Sequence, residues 1–216
     1  MLASNSQSQS LIDTFHLGTR LTYKKGEFII RPGEMPSAVF YIEKGLVKAF
    51  DITKYGEENL LIIRKDQEIF PLIWAITGQE RSVIYEVLTP TEVWKISRKQ
   101  YLDYLNNHPN ALAPILDMTI EMYRIHSERI MTLEYRTVRE RLISFLLGSA
   151  ARFGREIDKG ILIDVPLRHQ DIASSINATR ETTGRELNAL VKKGMVVVDK
   201  SLIILTDKAK LKSYLS

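Results

Sequence analysis

PLRHQDIASSINATRETTGRELNALVKK, running from Pro166 to Lys193, is the stretch from which the fold follows. Its first part, Arg168–Ser174, fits one short helix with Ile172 and Ala173 turned inward. Ser175-Ile176-Asn177-Ala178 reads as a turn in which Ile176 is an apolar plug between two helices. Thr179 is placed to cap the second helix, its hydroxyl oxygen accepting a backbone N–H of the first turn. The buried face of that helix is expected at Leu187, Leu190 and Val191. Ala173 is small, as the close approach of two helices requires. A short helix, a turn of about 3–4 residues and a longer helix together make the helix-turn-helix geometry.

The exposed start of the second helix carries the chemistry. Arg180, Glu181 and Arg185 occur there together, the two arginines projecting from adjoining faces. An arginine fork matches the paired acceptors of guanine, and a carboxylate accepts from the amino group of cytosine. These three are the candidate base contacts with double-stranded DNA. Thr179 and Thr182, with His169 and Gln170 at the start of the first helix, suit phosphate contacts that set register. A solvated helix face would carry Arg and Glu too. What separates the readings is that the cap, the turn plug and the preceding helix all agree.

Charge agrees as well. The chain has a formal net charge of +4, yet residues 137–216 hold 14 Lys and Arg against 9 Asp and Glu, a net of +5. The remainder is nearly neutral. A basic domain beside a neutral one is the footprint of a domain that meets a polyanion. Downstream, Gly194 ends the second helix, and Met195–Val198 with Leu202–Leu205 form a hairpin expected to be a wing. Upstream, Ile161–Val165 reads as a strand. Thr137 is the N-cap of a helix from Val138 to about Phe153, stopped by Gly154.

Before Thr137, a helix from about Asn110 to Tyr135 is expected, ~39 Å long at about 1.5 Å per residue. Ile115, Met118, Met122 and Ile125 step by 3, 4 and 3 along it, and Leu116, Ile120 and Tyr123 form a second stripe. One stripe can pack on the rest of its own chain, leaving the other for a partner. The dimer seam is assigned to Ile115, Met118, Met122 and Ile125; a single wide core face is the other use of such a pattern. Earlier still, Phe28–Ile30, Val39–Ile42, Leu46–Phe50, Leu60–Ile63, Val83–Val87 and Val93–Ile96 are strand-like runs. They are punctuated by Gly26, Pro32-Gly33, Gly45, Gly56 and Thr77-Gly78. That spacing predicts an antiparallel β-roll, with Pro71–Ile76 a short helix within it.

The expected architecture is therefore α+β. A polar, disordered lead-in covers residues 1–10, a roll 11–109, the long helix and hinge 110–136, and a winged helix-turn-helix 137–216. The 216-residue chain has no cysteine, which excludes disulfides, thiolate nucleophiles and cysteine-ligated clusters and fits a reducing cytoplasm. Its longest apolar runs are strand-length, too short to cross a membrane. Between Leu21 and Ser97 there is no histidine, so a metal-dependent barrel enzyme has no ligand set; no metal site and no enzyme are expected.

With these residues in view, the chain resembles the catabolite-activator/FNR (CRP/FNR) family of bacterial transcription regulators. PGEMPSAVFYIEKGLVK, from Pro32 to Lys48, is similar to the family's roll signature, and RETTGR, from Arg180 to Arg185, to the reading helix of its activator branch. The resemblance implies a cyclic-nucleotide-binding-like jelly roll, a long dimerising helix and a winged helix-turn-helix. It also implies a homodimer that reads palindromic sites with a GTGA-like half-site core, the halves ~34 Å apart, and a contact with RNA polymerase. GQERS, from Gly78 to Ser82, is similar to the cassette in which Arg81 and Ser82 would hold a nucleotide phosphate. His126-Ser127 stand where cyclic-AMP binders place a Thr-Ser pair.

The family's ribose-gripping Gly-Glu pair is replaced by Phe70 and Pro71. Phe is bulky where the backbone should approach the ligand closely, and Pro has no backbone N–H to donate. No cofactor is established by these residues; a small-molecule effector, if one is sensed, is read as other than cyclic AMP, with Arg81, Ser82, His126, Ser127, Phe70, Trp74 and Tyr85 as pocket candidates. Two readings stay open, Arg81 being a ligand contact or a surface cation, and Phe70, Trp74 and Tyr85 ligand contacts or ordinary core. A competing function is a ligand-binding roll that regulates a protein partner, against which the Arg180, Glu181 and Arg185 trio speaks.

Overall fold

The computed structural model describes residues 2–135 and 137–215. They fall into two compact units, residues 2–51 with 61–123 and residues 52–60 with 124–215. Arg136, the last residue of the expected helix-and-hinge segment, lies outside the described residues.

The first unit opens with a helix, α1 (Asn5–His16). Strands β1 (Thr19–Tyr23), β2 (Phe28–Ile30), β3 (Val39–Lys44), β4 (Val47–Ile52), β5 (Glu58–Arg64) and β6 (Ile69–Phe70) follow. Next come α2 (Leu72–Thr77), β7 (Ile84–Val87), β8 (Thr91–Ile96), α3 (Arg98–Asn107), a 3-10 turn at Pro109–Ala111 and α4 (Leu112–Leu133), whose residues from Arg124 on belong to the second unit. The strands make two four-stranded sheets, β1-β8-β3-β6 and β2-β7-β4-β5. β3 shows why the apolar runs are continuous. Val39 and Tyr41 join a core with Leu11 and Phe15 of α1 and Tyr101 of α3, while Phe40, on the other face, stacks on Phe70 at 5.3 Å. Both faces of the strand are covered, so both must be apolar.

Gly45 turns β3 into β4 with φ at 113°, and a Cβ there would stand 2.3 Å from Thr91 Oγ1. Only glycine fits. Lys48 is fully buried on β4. Its ammonium meets Glu86 of the neighbouring β7 at 2.9 Å and lies 4.1 Å above the Phe50 ring, so the charge enters the interior with partners.

The disordered lead-in is corrected by α1. Ser4 and Gln7 form a reciprocal capping box, and Leu11 and Phe15, one turn apart, are buried. Burying two such side chains contributes about 1.5–3 kcal/mol each, enough to order a polar segment. Asp117 of α4 accepts the Leu2 and Ala3 N–H groups at 2.9 and 2.8 Å, which holds its carboxyl below the ordinary aspartate pKa. The latch is intact above that ordinary value and is released as pH falls through the lowered one.

α4 reverses the assignment of its stripes. Ile115 is buried in the first unit's core, and Met118 and Met122 pack against that core; Ile125 is half-buried. Leu116, Ile120 and Tyr123 are instead exposed, at 46%, 58% and 72%, and Ile130 and Met131, on the part of α4 in the second unit, are exposed too. The inward stripe is the one whose residues meet α1, α3 and the roll.

The second unit comprises α5 (Val138–Phe153), β9 (Gly154–Ile157), β10 (Gly160–Ile163), α6 (His169–Ser175), α7 (Arg180–Lys192), β11 (Val196–Asp199), β12 (Leu202–Leu205) and α8 (Lys208–Lys212). Thr137 and Glu140 form the capping box that starts α5. The strands form one sheet, β11-β12-β10-β9, so the wing hairpin is half of a four-stranded antiparallel sheet. Leu142, Ile143 and Leu146 of α5 are fully buried, as are Ile163, Ile172, Leu190 and Leu211.

Candidate nucleic-acid interface

The interface is assembled from α6, the turn after it, and α7. Ile172, Ala173 and Ile176 are all fully buried, so the plug expected of Ile176 is in place. Asn177 takes a left-handed φ of 49°, a conformation asparagine tolerates better than most residues, and lets the chain reverse toward α7. Arg141 of α5 holds this turn: its Nε donates to Ile176 O at 2.8 Å and its Nη2 to Asn177 O at 3.4 Å, while Nη1 donates to Tyr135 O at 2.9 Å. Gly184 lets the helices approach, since a Cβ at that position would lie 3.3 Å from His169 Nδ1.

Thr179 caps α7, its hydroxyl oxygen accepting the Thr182 N–H at 3.1 Å and its hydroxyl donating to Thr182 Oγ1 at 3.0 Å. The buried face is Thr183, Leu187 and Leu190. Val191, expected there, is 37% exposed; Thr183 takes its place because steps of 4 and 3 keep one face in register. Arg180, Glu181 and Arg185 are all exposed at the start of the helix. Among the described residues, Arg180 and Glu181 have no hydrogen-bonded or ionic side-chain partner, and Arg185 has only Glu186, at 3.7 Å. Two cationic forks and a carboxylate are thus presented to solvent on the amino-terminal half of one helix. His169 and Gln170 are half-buried at the start of α6.

Arg168 anchors α6. Its backbone N–H donates to Asp171 Oδ2 at 2.9 Å, and its Nε and Nη2 donate to the same buried carboxylate at 3.0 and 2.9 Å. Its Nη2 also reaches Glu58 at 3.0 Å. A pairing that no periodicity marks also ties α5 to α7. Arg139, in the first turn of α5, donates from Nε to Glu186 at 2.8 Å. They lie 47 residues apart in sequence, so only the fold pairs them.

The effector candidates part company. Phe70 is fully buried and stacks on Tyr85 at 4.6 Å as well as on Phe40. Tyr85 is itself buried, which raises its hydroxyl pKa against the opposing pull of Arg64 and Arg81. Both rings are core. Trp74 is half-buried against the helical core, with Arg98 Nε donating to its carbonyl at 3.1 Å. Arg81 and Ser82 are exposed just before β7. His126 is exposed and Ser127 half-buried on α4, in the second unit. Phe70 and Pro71 do not fit a ribose grip: neither side chain can accept a hydroxyl hydrogen, and the ring fills the space of the stack. No cluster of three or more His, Asp or Glu able to hold a metal occurs among the described residues, and no helix there is long and apolar enough to cross a membrane.

A sensor-type β-roll, a long helix and a winged helix-turn-helix with a free Arg/Glu/Arg edge define a class: DNA-binding regulators. Comparison with known proteins agrees. Residues 20–108 match the cyclic nucleotide-binding domain and residues 140–214 the Crp-like helix-turn-helix domain. Over 191 residues the chain is 31% identical to the global nitrogen regulator of a Synechocystis species, covering 84% of this chain and 82% of that protein. It is 27% identical over 194 residues to the anaerobic regulatory protein of Bacillus subtilis, covering 89% and 81%. Among solved structures, a CooA variant from Carboxydothermus hydrogenoformans shares the fold with a TM-score of 0.77 at 20% identity, over 94% of this chain and 90% of that one. The chain belongs to the CRP/FNR family of transcription regulators.

Proposed function

We propose that this regulator acts as a homodimer that reads palindromic DNA with a GTGA-like half-site core, Arg180, Glu181 and Arg185 contacting bases from α7. The observation that carries the reading is the exposure of these three side chains on the capped start of a helix whose opposite face is buried. Thr179, Thr182, His169 and Gln170 meet the phosphates that set register. In working terms, residues 11–109 are the sensor, 110–136 the connecting helix and hinge, and 137–216 the reader. RNA polymerase is the partner that family membership suggests.

The outward stripe of α4, Leu116, Ile120, Tyr123 and Ile130, replaces the inward one as the proposed seam. Its 4, 3 and 7 spacing is that of a/d positions, and a second copy of the helix is the surface that matches it. The effector is a small molecule bound through Arg81 and Ser82, and the burial of Phe70 and Tyr85 speaks against cyclic AMP.

Selection of bound duplexes from a random pool, with and without cyclic AMP, tests this reading. The parent protein is expected to enrich a two-fold symmetric site irrespective of the nucleotide. Arg180→Ala and Arg185→Ala are each expected to weaken that site by about 1–3 kcal/mol and relax one base preference. Variants that select as tightly and as narrowly as the parent would remove α7 from the role of reader.

A further inference from the structure

Glu186 stands between two arginines that come from different helices. Its Oε2 accepts from Nε of Arg139 on α5 at 2.8 Å, and its Oε1 lies 3.7 Å from Nε of Arg185 on α7. The carboxylate is 15% exposed, Arg139 37% and Arg185 71%. The three side chains, with Thr137, Val138 and Thr182, line a cleft of about 390 Å³ open to solvent. Among the described residues, no hydrogen bond or ion pair engages the Nη groups of either arginine. Arg139 is therefore hydrogen-bonded through Nε, Arg185 only drawn to the same carboxylate by an ion-pair contact, and the Nη edge of each remains to meet an anion.

We infer that Glu186 is a positioning residue for DNA recognition, one carboxylate ordering Arg185 for its base and Arg139 for a neighbouring phosphate. The inference rests on the base-reading role proposed for α7. Its physical basis is preorganisation. A free arginine samples many rotamers, and fixing it at the moment of binding subtracts from affinity. A partly buried carboxylate that already holds Nε removes much of that loss, leaving the Nη edge aimed outward. The same carboxylate repels phosphate, so its presence beside a polyanion needs a compensating use, and holding two cations supplies one.

That opposition gives the experiment its sign. If Glu186 acted only as a negative charge near DNA, Glu186→Ala would tighten binding to every sequence. As a positioning residue, its loss weakens the selected site by about tenfold and flattens preference at the base pair read by Arg185. Preference at the pair read by Arg180 does not fall, and affinity for unrelated duplex falls less than that for the selected site, because the repulsion removed with the carboxylate offsets the lost ordering of Arg139. Glu186→Gln, which keeps one accepting oxygen, is expected to fall between E186A and the parent. Arg139→Ala lowers affinity for all sequences alike and reduces the salt slope by about 1.

A second measurement uses the unmodified chain: Nε–H resonances of Arg139 and Arg185 should be ordered before DNA is added, unlike that of Arg180. The proposal is overturned if E186A and E186Q keep the parent's base preferences and ratio of specific to non-specific affinity, whatever their Tm. It is equally overturned if the three Nε–H signals are alike in mobility. Should R180A and R185A also bind with the parent's specificity, the reading-helix assignment fails with it; should they lose specificity while E186A keeps it, only the clamp does.

Discussion

Phe70 illustrates what one side chain decides. It stacks between Phe40 and Tyr85 with no exposed surface, so Phe70→Ala is expected to destabilise the protein by about 3–5 kcal/mol, measured by urea unfolding. A loss under 1 kcal/mol would mean that the ring is not part of the core. The sequence alone leaves this residue between ligand contact and core, because an aromatic beside a proline fits either. Arg180, Glu181 and Arg185 are easier to read, since a cap and a helical period fix which way they face. Glu186 and Arg139 are not legible at all: their pairing exists only once α5 lies against α7, and no local spacing records it.

At the scale of the element, α4 shows where pattern recognition stops. Both stripes are visible in the sequence, but which one faces inward depends on where α1, α3 and the roll lie. Leu116→Glu with Ile120→Glu is expected to give folded monomers in sedimentation, whereas Ile115→Glu with Met118→Glu should unfold the chain by placing charge in the core. Folded monomers from the second pair, or an unchanged dimer from the first, would return the seam to the inward stripe. α1 was hidden for a related reason. Its first turns are polar, and what orders them, the burial of Leu11 and Phe15 and the Asp117 latch 115 residues from Leu2, is tertiary. The strands of the roll and the limits of α5 were readable because glycine turns and a Thr137 cap mark them locally.

For the molecule as a whole, charge is the property that acts at a distance. The positive excess lies in residues 137–216, which include the whole helix-turn-helix. Binding should therefore depend steeply on salt. A dimer making about 6–10 phosphate contacts loses roughly 10³–10⁵ in affinity between about 50 and 200 mM salt. Titrating the selected duplex across that range measures the slope, and a flat response would mean that phosphates are not the main source of affinity. The β-roll and winged helix-turn-helix were both legible as whole patterns; the effector was not, because a pocket is defined by what side chains leave open.

Arg141 carries a consequence for engineering. It sits outside the Pro166–Lys193 stretch, yet its guanidinium ties down the two carbonyls of the turn between α6 and α7. The reader is thus not a detachable cassette. Transplanted onto a host without an arginine at that place, the stretch would lose the anchors of its turn, and the angle at which α7 is offered would drift. If α7 reads bases as proposed, changing the recognised DNA word is a matter of rewriting solvent-facing letters on α7 in place, while moving the reader elsewhere requires taking α5 along.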